Sequence, residues 1–295
     1  MSHAQPWAQA SRPTTKSRAT PETPAAATTK VRAVFFDFMG TCLDWHSAVA
    51  CALPPGIPEA ARSRLALDWR EEFFRELHAR AGQGKAPEDI DATHRRTLLR
   101  LLREPQRQND GLRHHFLAVA TENAGDTTAT GTQPWHPDGE GAGWPAVERA
   151  VASWHRMRAW DDVLPALSAL RDELGLELFV LANGTTRLQL DLARSAGLGA
   201  SFDMLLSSEL LGVYKPAAAA YEKALALVRV RPEQAVMVAA HAYDLRAARA
   251  VGMRTVYVHR WTDDASEDMQ LVRRENEHFL DEGGMDGLVG AIRAM

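Results

Sequence analysis

Hydrophobic and polar positions recur with two different periods along this chain. The first strong apolar run is Val31–Phe36, β-branched and aromatic, followed at once by Asp-Phe-Met-Gly-Thr. Its length and residue types predict a buried strand that ends in a polar turn. From Pro58 to Leu102 the period becomes helical: Leu65, Trp69, Phe73 and Leu77 recur every four residues with charges between them. Helix is predicted again over Ala146–Met157 and Leu164–Leu174. The C-terminal half then alternates. Strands are predicted over Glu177–Leu181, Met204–Ser207, Ala235–Ala239 and Thr255–His259. Helices follow the first three, running to Ala196, over Ala217–Val228 and over Leu245–Ala250. Strand and helix in alternation mean βαβ units, a parallel sheet flanked by helices and hence an α/β fold.

Two stretches escape this patterning. Twenty of residues 1–30 are Ala, Ser, Thr or Pro, and Trp7 is the one aromatic among them. Such a segment buries too little surface to offset its ordering entropy and is expected to be a disordered tail. Arg12, Lys16, Arg18 and Lys30 against Glu22 also fit a transit peptide. Residues 121–143 hold five Gly and five Thr, the mark of a long polar loop or insertion. The expected organisation is a tail over 1–30, an α/β core over 31–44 and 161–295, and a helical segment over 45–160 with a flexible insertion at about 107–143.

Composition adds little to this. The net charge of −4 gives no reason to expect nucleic acid or an anionic membrane as a partner. No apolar run approaches the ~20 residues of a membrane span. Cys42 and Cys51 cannot build a disulfide framework, so a cytoplasmic setting is the default expectation.

In parallel α/β sheets, ligands sit beyond the carboxyl ends of the strands. Four strand ends here offer chemistry in order: Asp37 with Thr41 four residues on, Asn183-Gly184, Lys215 before Pro216, and Asp244 with His241. A carboxylate becomes a nucleophile when it is kept ionised, desolvated and in line with its target. An ammonium beside it, such as that of Lys215, holds it anionic.

The ordered set Phe-Phe-Asp37-Phe-Met-Gly40-Thr41, Leu-Ala-Asn183-Gly184, Val-Tyr-Lys215-Pro216 and Val-Ala-Ala-His241-Ala-Tyr-Asp244 resembles the haloacid dehalogenase superfamily, and within it the L-2-haloacid dehalogenase branch. The likeness covers roughly residues 31–290. It implies a Rossmann-like core with a helical cap inserted after the first strand. It also implies a hydrolase that needs no cofactor or metal and releases halide from short 2-haloalkanoic acids through an aspartyl ester on Asp37. The partner is then a small halogenated carboxylic acid, and dimerisation is common in the branch. Trp69-Arg70 is similar to the family's Trp-Arg pair, which puts Arg70 at the site. Arg70 and Asn183 would receive halide or carboxylate. The backbone N–H groups of Phe38 and Met39 would help hold the carboxylate. Asp244 or His241 would activate water.

The departures from the family pattern carry information too. Met39 stands where phosphatases of the superfamily place a second aspartate as general acid, and Ala240 replaces an acidic residue of their fourth motif. Both argue against phosphoryl transfer and a required Mg²⁺. The dehalogenase branch usually has Tyr at Met39, Ser at Ala182 and Ala239, and Asn at His241. The site is therefore more apolar than expected, and an imidazole stands where an amide is usual. Another electrophile at the same nucleophile, a Mg²⁺-dependent phosphatase and a non-catalytic binding protein are the rival readings.

Overall fold

The computed structural model describes residues 30–85, 88–103, 112–116 and 144–295. Apart from Lys30 the expected tail lies outside them, as does the expected insertion at 107–143 apart from 112–116.

Six strands form one parallel sheet in the order β5-β4-β1-β6-β7-β8: β1 (Ala33–Phe36), β4 (Glu177–Ala182), β5 (Met204–Ser207), β6 (Ala235–Ala239), β7 (Arg254–Val258) and β8 (His278–Leu280). β1 pairs with β4 on one side and β6 on the other, Phe36 lying level with Val180 and Val238. Side chains on successive strand residues face opposite ways, so the sheet feeds two cores. Val34, Phe36, Leu178, Val180, Val236 and Val238 enter one. Ala33, Phe35, Phe179, Leu181, Ala235 and Met237 enter the other. Both faces are apolar, which is why the strands read as continuous hydrophobic runs.

A second, two-stranded sheet joins β2 (Leu43–Asp44) to β3 (Arg158–Ala159), antiparallel, with Leu43 opposite Ala159 and Asp44 opposite Arg158. Between these two strands the described chain is helical: α1 (Trp45–Ala52), α2 (Glu59–Gly82), α3 (Ile90–Arg103) and α4 (Pro145–Ser153). Asp44 caps α1 by accepting from Ser47 N at 3.0 Å. Pro145 opens α4, where its missing N–H costs nothing. The apolar stripe foreseen on α2 is buried: Leu65, Trp69, Phe73 and Leu77 pack inward, with Trp45 and Trp154 stacked at 5.7 Å nearby. The predicted run from Pro58 to Leu102 proves to be two helices, broken between Gly82 and Ile90.

The remaining helices flank the sheet: α5 (Val163–Leu174), α6 (Thr186–Ser195), α7 (Ser208–Leu211), α8 (Ala218–Val228), α9 (Ala242–Ala250), α10 (Met269–Glu275) and α11 (Leu288–Arg293). Among the described residues, no helix is long and apolar enough to cross a membrane.

Candidate active site

The carboxyl ends of β1, β4 and β6 converge on a small cavity at the face that carries α2. Asp37 directly follows β1 and is tied into the sheet by its N–H, which donates to Val238 O at 3.0 Å. Its side chain is buried and hydrogen-bonded to three groups. Thr41 Oγ1 donates to Oδ2 at 2.8 Å, Lys215 Nζ donates to Oδ1 at 2.8 Å, and His241 Nδ1 lies 3.1 Å from Oδ2. Burial alone would raise the Asp37 pKa, but the Lys215 charge and the His241 hydrogen bond reverse that and hold the carboxyl well below its usual range.

Lys215 reaches this position because Asn183 grips its backbone. Asn183 Oδ1 accepts from Lys215 N at 2.8 Å, and Asn183 Nδ2 donates to Lys215 O at 2.9 Å. Asn183 thus fixes the lysine while itself lining the cavity. Lys215 Nζ also donates to Asp244 Oδ2 at 2.5 Å, while Tyr221 donates to Asp244 Oδ1. Both Asp244 oxygens are therefore taken. Asp244 lies behind the lysine and is absent from the cavity wall, so it does not meet a water there directly. Burial pushes its carboxyl pKa up. Against its own desolvation, Lys215 is kept charged by Asp244 and Asp37.

His241 departs from its expected role. A water-activating base needs a free ring nitrogen. Here Nδ1 faces Asp37 and Nε2 lies 3.0 Å from Asp263 Oδ1. Burial works against the charged ring, yet the hydrogen bonds to Asp263 and Asp37 outweigh it and push the pKa up to about 10. His241 is an imidazolium donating in both directions, with no lone pair for a proton.

Asp263 was missed by sequence reading. It is buried and takes three further contacts: Trp45 Nε1 donates at 3.1 Å, Thr262 Oγ1 donates at 2.7 Å, and Arg70 Nη2 lies 3.8 Å away. No motif spacing marks it. The available signal was position, since it follows β7 by five residues on the ligand side of the sheet. Gly40 makes room for it. Gly40 has φ +88°, and a Cβ there would stand 2.6 Å from Asp263 Oδ2.

Arg70 comes down from α2 onto the same cavity. Its guanidinium sits 4.4 Å from the Phe74 ring centroid and 5.2 Å from that of Trp45, and Nη2 lies 3.4 Å from Met39 O. Arg70 Nε is buried and has no hydrogen-bond partner. A buried cation with unused donors suits an anion. Among the described residues, the N–H groups of Phe38 and Met39 find no acceptor. The Phe38 side chain is core, edge-on to Phe202 at 5.8 Å, whereas Met39 lines the cavity. Cys42, beside the site, is buried with its Sγ on Asp37 O at 3.4 Å, and burial raises its thiol pKa well above the ordinary value.

A sheet in this order, carrying a carboxylate, lysine and second carboxylate at its strand ends beneath helices inserted after the first strand, defines a class. The family model described as "Hydrolase: haloacid dehalogenase-like hydrolase" matches residues 31–252, and the chain belongs to that family. It is similar to (S)-2-haloacid dehalogenase of Pseudomonas sp. strain YL, 25% identical over 240 residues that cover 81% of this chain and 87% of that protein. It is also similar to (S)-2-haloacid dehalogenase 1 of Pseudomonas sp. strain CBS-3, 29% identical over 112 residues, 38% of this chain and 49% of that protein. The chain thus spans about half the length of some curated relatives and most of others. Among solved structures, the L-2-haloacid dehalogenase PA0810 is 28% identical, with a TM-score of 0.64 over 90% of this chain and all of that one.

Proposed function

We propose that this chain hydrolyses 2-haloalkanoic acids through an ester on Asp37, giving the 2-hydroxy acid and halide, without metal. The observation that carries the reading is that the buried Asp37 carboxylate, held by three hydrogen bonds, lines one cavity with the buried Arg70 guanidinium.

Asp37 Oδ2 accepts from both Thr41 and His241, whereas Oδ1 accepts from Lys215 alone. Oδ1 therefore keeps a lone pair and is the attacking atom. It forms a bond to C2 as the carbon–halogen bond breaks, and the bonding pair leaves with the halide. Displacement at carbon inverts C2. The substrate carboxylate lies against Arg70, with the Phe38 and Met39 N–H groups to assist. Leu77, Ile90 and Ala182 give the cavity an apolar stretch beside the Asn183 amide, which suits a weakly hydrated halide. Halide needs no protonation to leave, so Met39 at the phosphatases' acid position is no defect.

Water then attacks Asp37 Cγ, releasing the C2 oxygen as the hydroxyl of the product and restoring the carboxylate. One water proton stays with that hydroxyl and the other is lost. Lys215, in contact with both Asp37 and Asp244, passes it on: the ammonium gives a proton to Asp244 and takes one from water. This route replaces His241, which is already protonated.

The test is halide release from chloroacetate, bromoacetate and both 2-chloropropionate enantiomers, with and without EDTA. EDTA-insensitive release that vanishes in Asp37→Asn supports the reading. Silence from a folded wild type, with Mg²⁺-stimulated phosphate release from esters, sinks it.

A further inference from the structure

Two cavities meet at Arg70. The one beside Asp37 measures about 30 Å³. At ~10–15 Å³ for each water it holds a halogen-bearing carbon and little else. On the other side of Arg70 lies a chamber of about 440 Å³, within the range of roughly 300–1,000 Å³ typical of small-molecule sites. Arg70, Phe74, His241 and Tyr243 line both spaces.

Leu67, Phe74 and Tyr243 give the chamber an apolar stretch, with His78 packed edge-on to Tyr243 at 5.2 Å, while Thr262 and Asp263, the latter 3.8 Å from Arg70, line it as well. Burial and the nearby His241 charge lower the His78 pKa, which favours an uncharged ring. Asp68, Glu71, Asp264 and Glu267 make the rim acidic. Glu71 pairs with Arg75 at 3.0 Å and Glu267 with Arg246 at 2.8 Å, while Asp264 accepts from Ala242 N at 2.6 Å. These carboxylates repel a second anionic group on a ligand. Among the described residues the buried Arg70 Nε has no partner, and Arg70 lines both spaces.

We propose that the chamber is a second substrate subsite, and that the preferred substrate is a monoanionic 2-haloacid whose carboxylate lies on Arg70 and whose alkyl or phenylalkyl tail fills the chamber. The proposal rests on the dehalogenase reading for the reacting end and on cavity shape and charge for the tail. Acids with a second carboxylate on the tail are rejected by the rim.

Calorimetry on the wild-type protein with unhalogenated acids tests the subsite apart from the chemistry. Hexanoate and 3-phenylpropionate should bind at least tenfold more tightly than acetate, and glutarate no more tightly than acetate. Ala265→Trp and Leu67→Trp, two independent ways to fill the chamber, should each cost 3-phenylpropionate at least tenfold in affinity. Equal affinity for acetate and the tailed acids, or glutarate as the tightest ligand, overturns the subsite. In parallel, halide release from 2-bromo-3-phenylpropionate should exceed that from bromoacetate in kcat/KM. Tight binding of tailed acids with no halide released from either bromoacid sinks the dehalogenase reading and leaves the subsite standing.

Discussion

His241 Nε2 lies 3.0 Å from Asp263 Oδ1, and its other ring nitrogen lies 3.1 Å from Asp37. One imidazolium thus joins the strand end that bears Asp37 to the strand end that was silent in the sequence. Asp263→Asn removes the anionic acceptor at Nε2 while keeping the shape. The His241 pKa should fall from about 10 towards its ordinary 6.5. The alkaline limb of kcat/KM should then move down by about one pH unit or more. An imidazole titration followed by NMR, beside the pH–rate profile, checks this. An unmoved limb with a shifted imidazole would show that His241 charge does not matter to catalysis.

Stability should follow the same groups. The raised His241 pKa contributes stability that is fully present below about 6.5, declines above it, and is gone once the pH passes about 10. The depressed Asp37 pKa contributes stability that is fully present above its ordinary value of 3.8 and declines below it. Thermal unfolding temperature, scanned against pH, should peak between these two ordinary values. In His241→Asn the decline on the alkaline side of that peak should be shallower.

Lys215→Met leaves Asp244 buried without its cation and Asp37 with His241 as its remaining charged partner. Removing one partner of a buried ion pair costs about 3–5 kcal/mol, read as a lower denaturant midpoint. Halide release should fall to background, because the carboxylate loses the charge that keeps it ionised. A variant with wild-type stability would show that the two carboxylates share a proton instead.

Gly40→Ala meets two obstacles at once. Its φ of +88° is unfavourable for any side chain, by roughly 1–2 kcal/mol, and the new Cβ would press on the Asp263 carboxylate. The expected loss is at least about 2 kcal/mol in unfolding free energy, with the His241 resonance displaced. An unperturbed His241 would mean that Asp263 has room to retreat.

The strands were legible because burial on both sheet faces forces unbroken apolar runs. Ala235–Ala239 and Met204–Ser207 were predicted with the boundaries observed, and Glu177–Leu181 fell one residue short. What escaped notice was short or half-covered: β8 is three residues with intermediate burial, and β2 and β3 are two residues each. Asp37, Lys215 and Asp244 were legible because each stands at a fixed offset from a strand end, and Arg70 because of its tryptophan neighbour. The roles of Asn183 and His241 were harder. An amide that grips a lysine backbone and an imidazole caught between two carboxylates depend on partners 32 and 22 residues away, which no local spacing reveals.

Every group that bonds to the Asp37 carboxylate, namely Thr41, Lys215 and His241, belongs to the sheet half of the molecule. None comes from the helices between β2 and β3, which contribute Arg70 and Phe74 to the other side of the cavity. Those helices are reached through a two-rung ribbon, pinned where Trp160 Nε1 donates to Gly40 O at 2.9 Å. In the proposed reaction this wiring divides the labour, with reactivity assigned to one half and selectivity to the other. Exchanging the helical half for another of different shape would change which molecule is admitted while leaving the three hydrogen bonds to the Asp37 carboxylate in place.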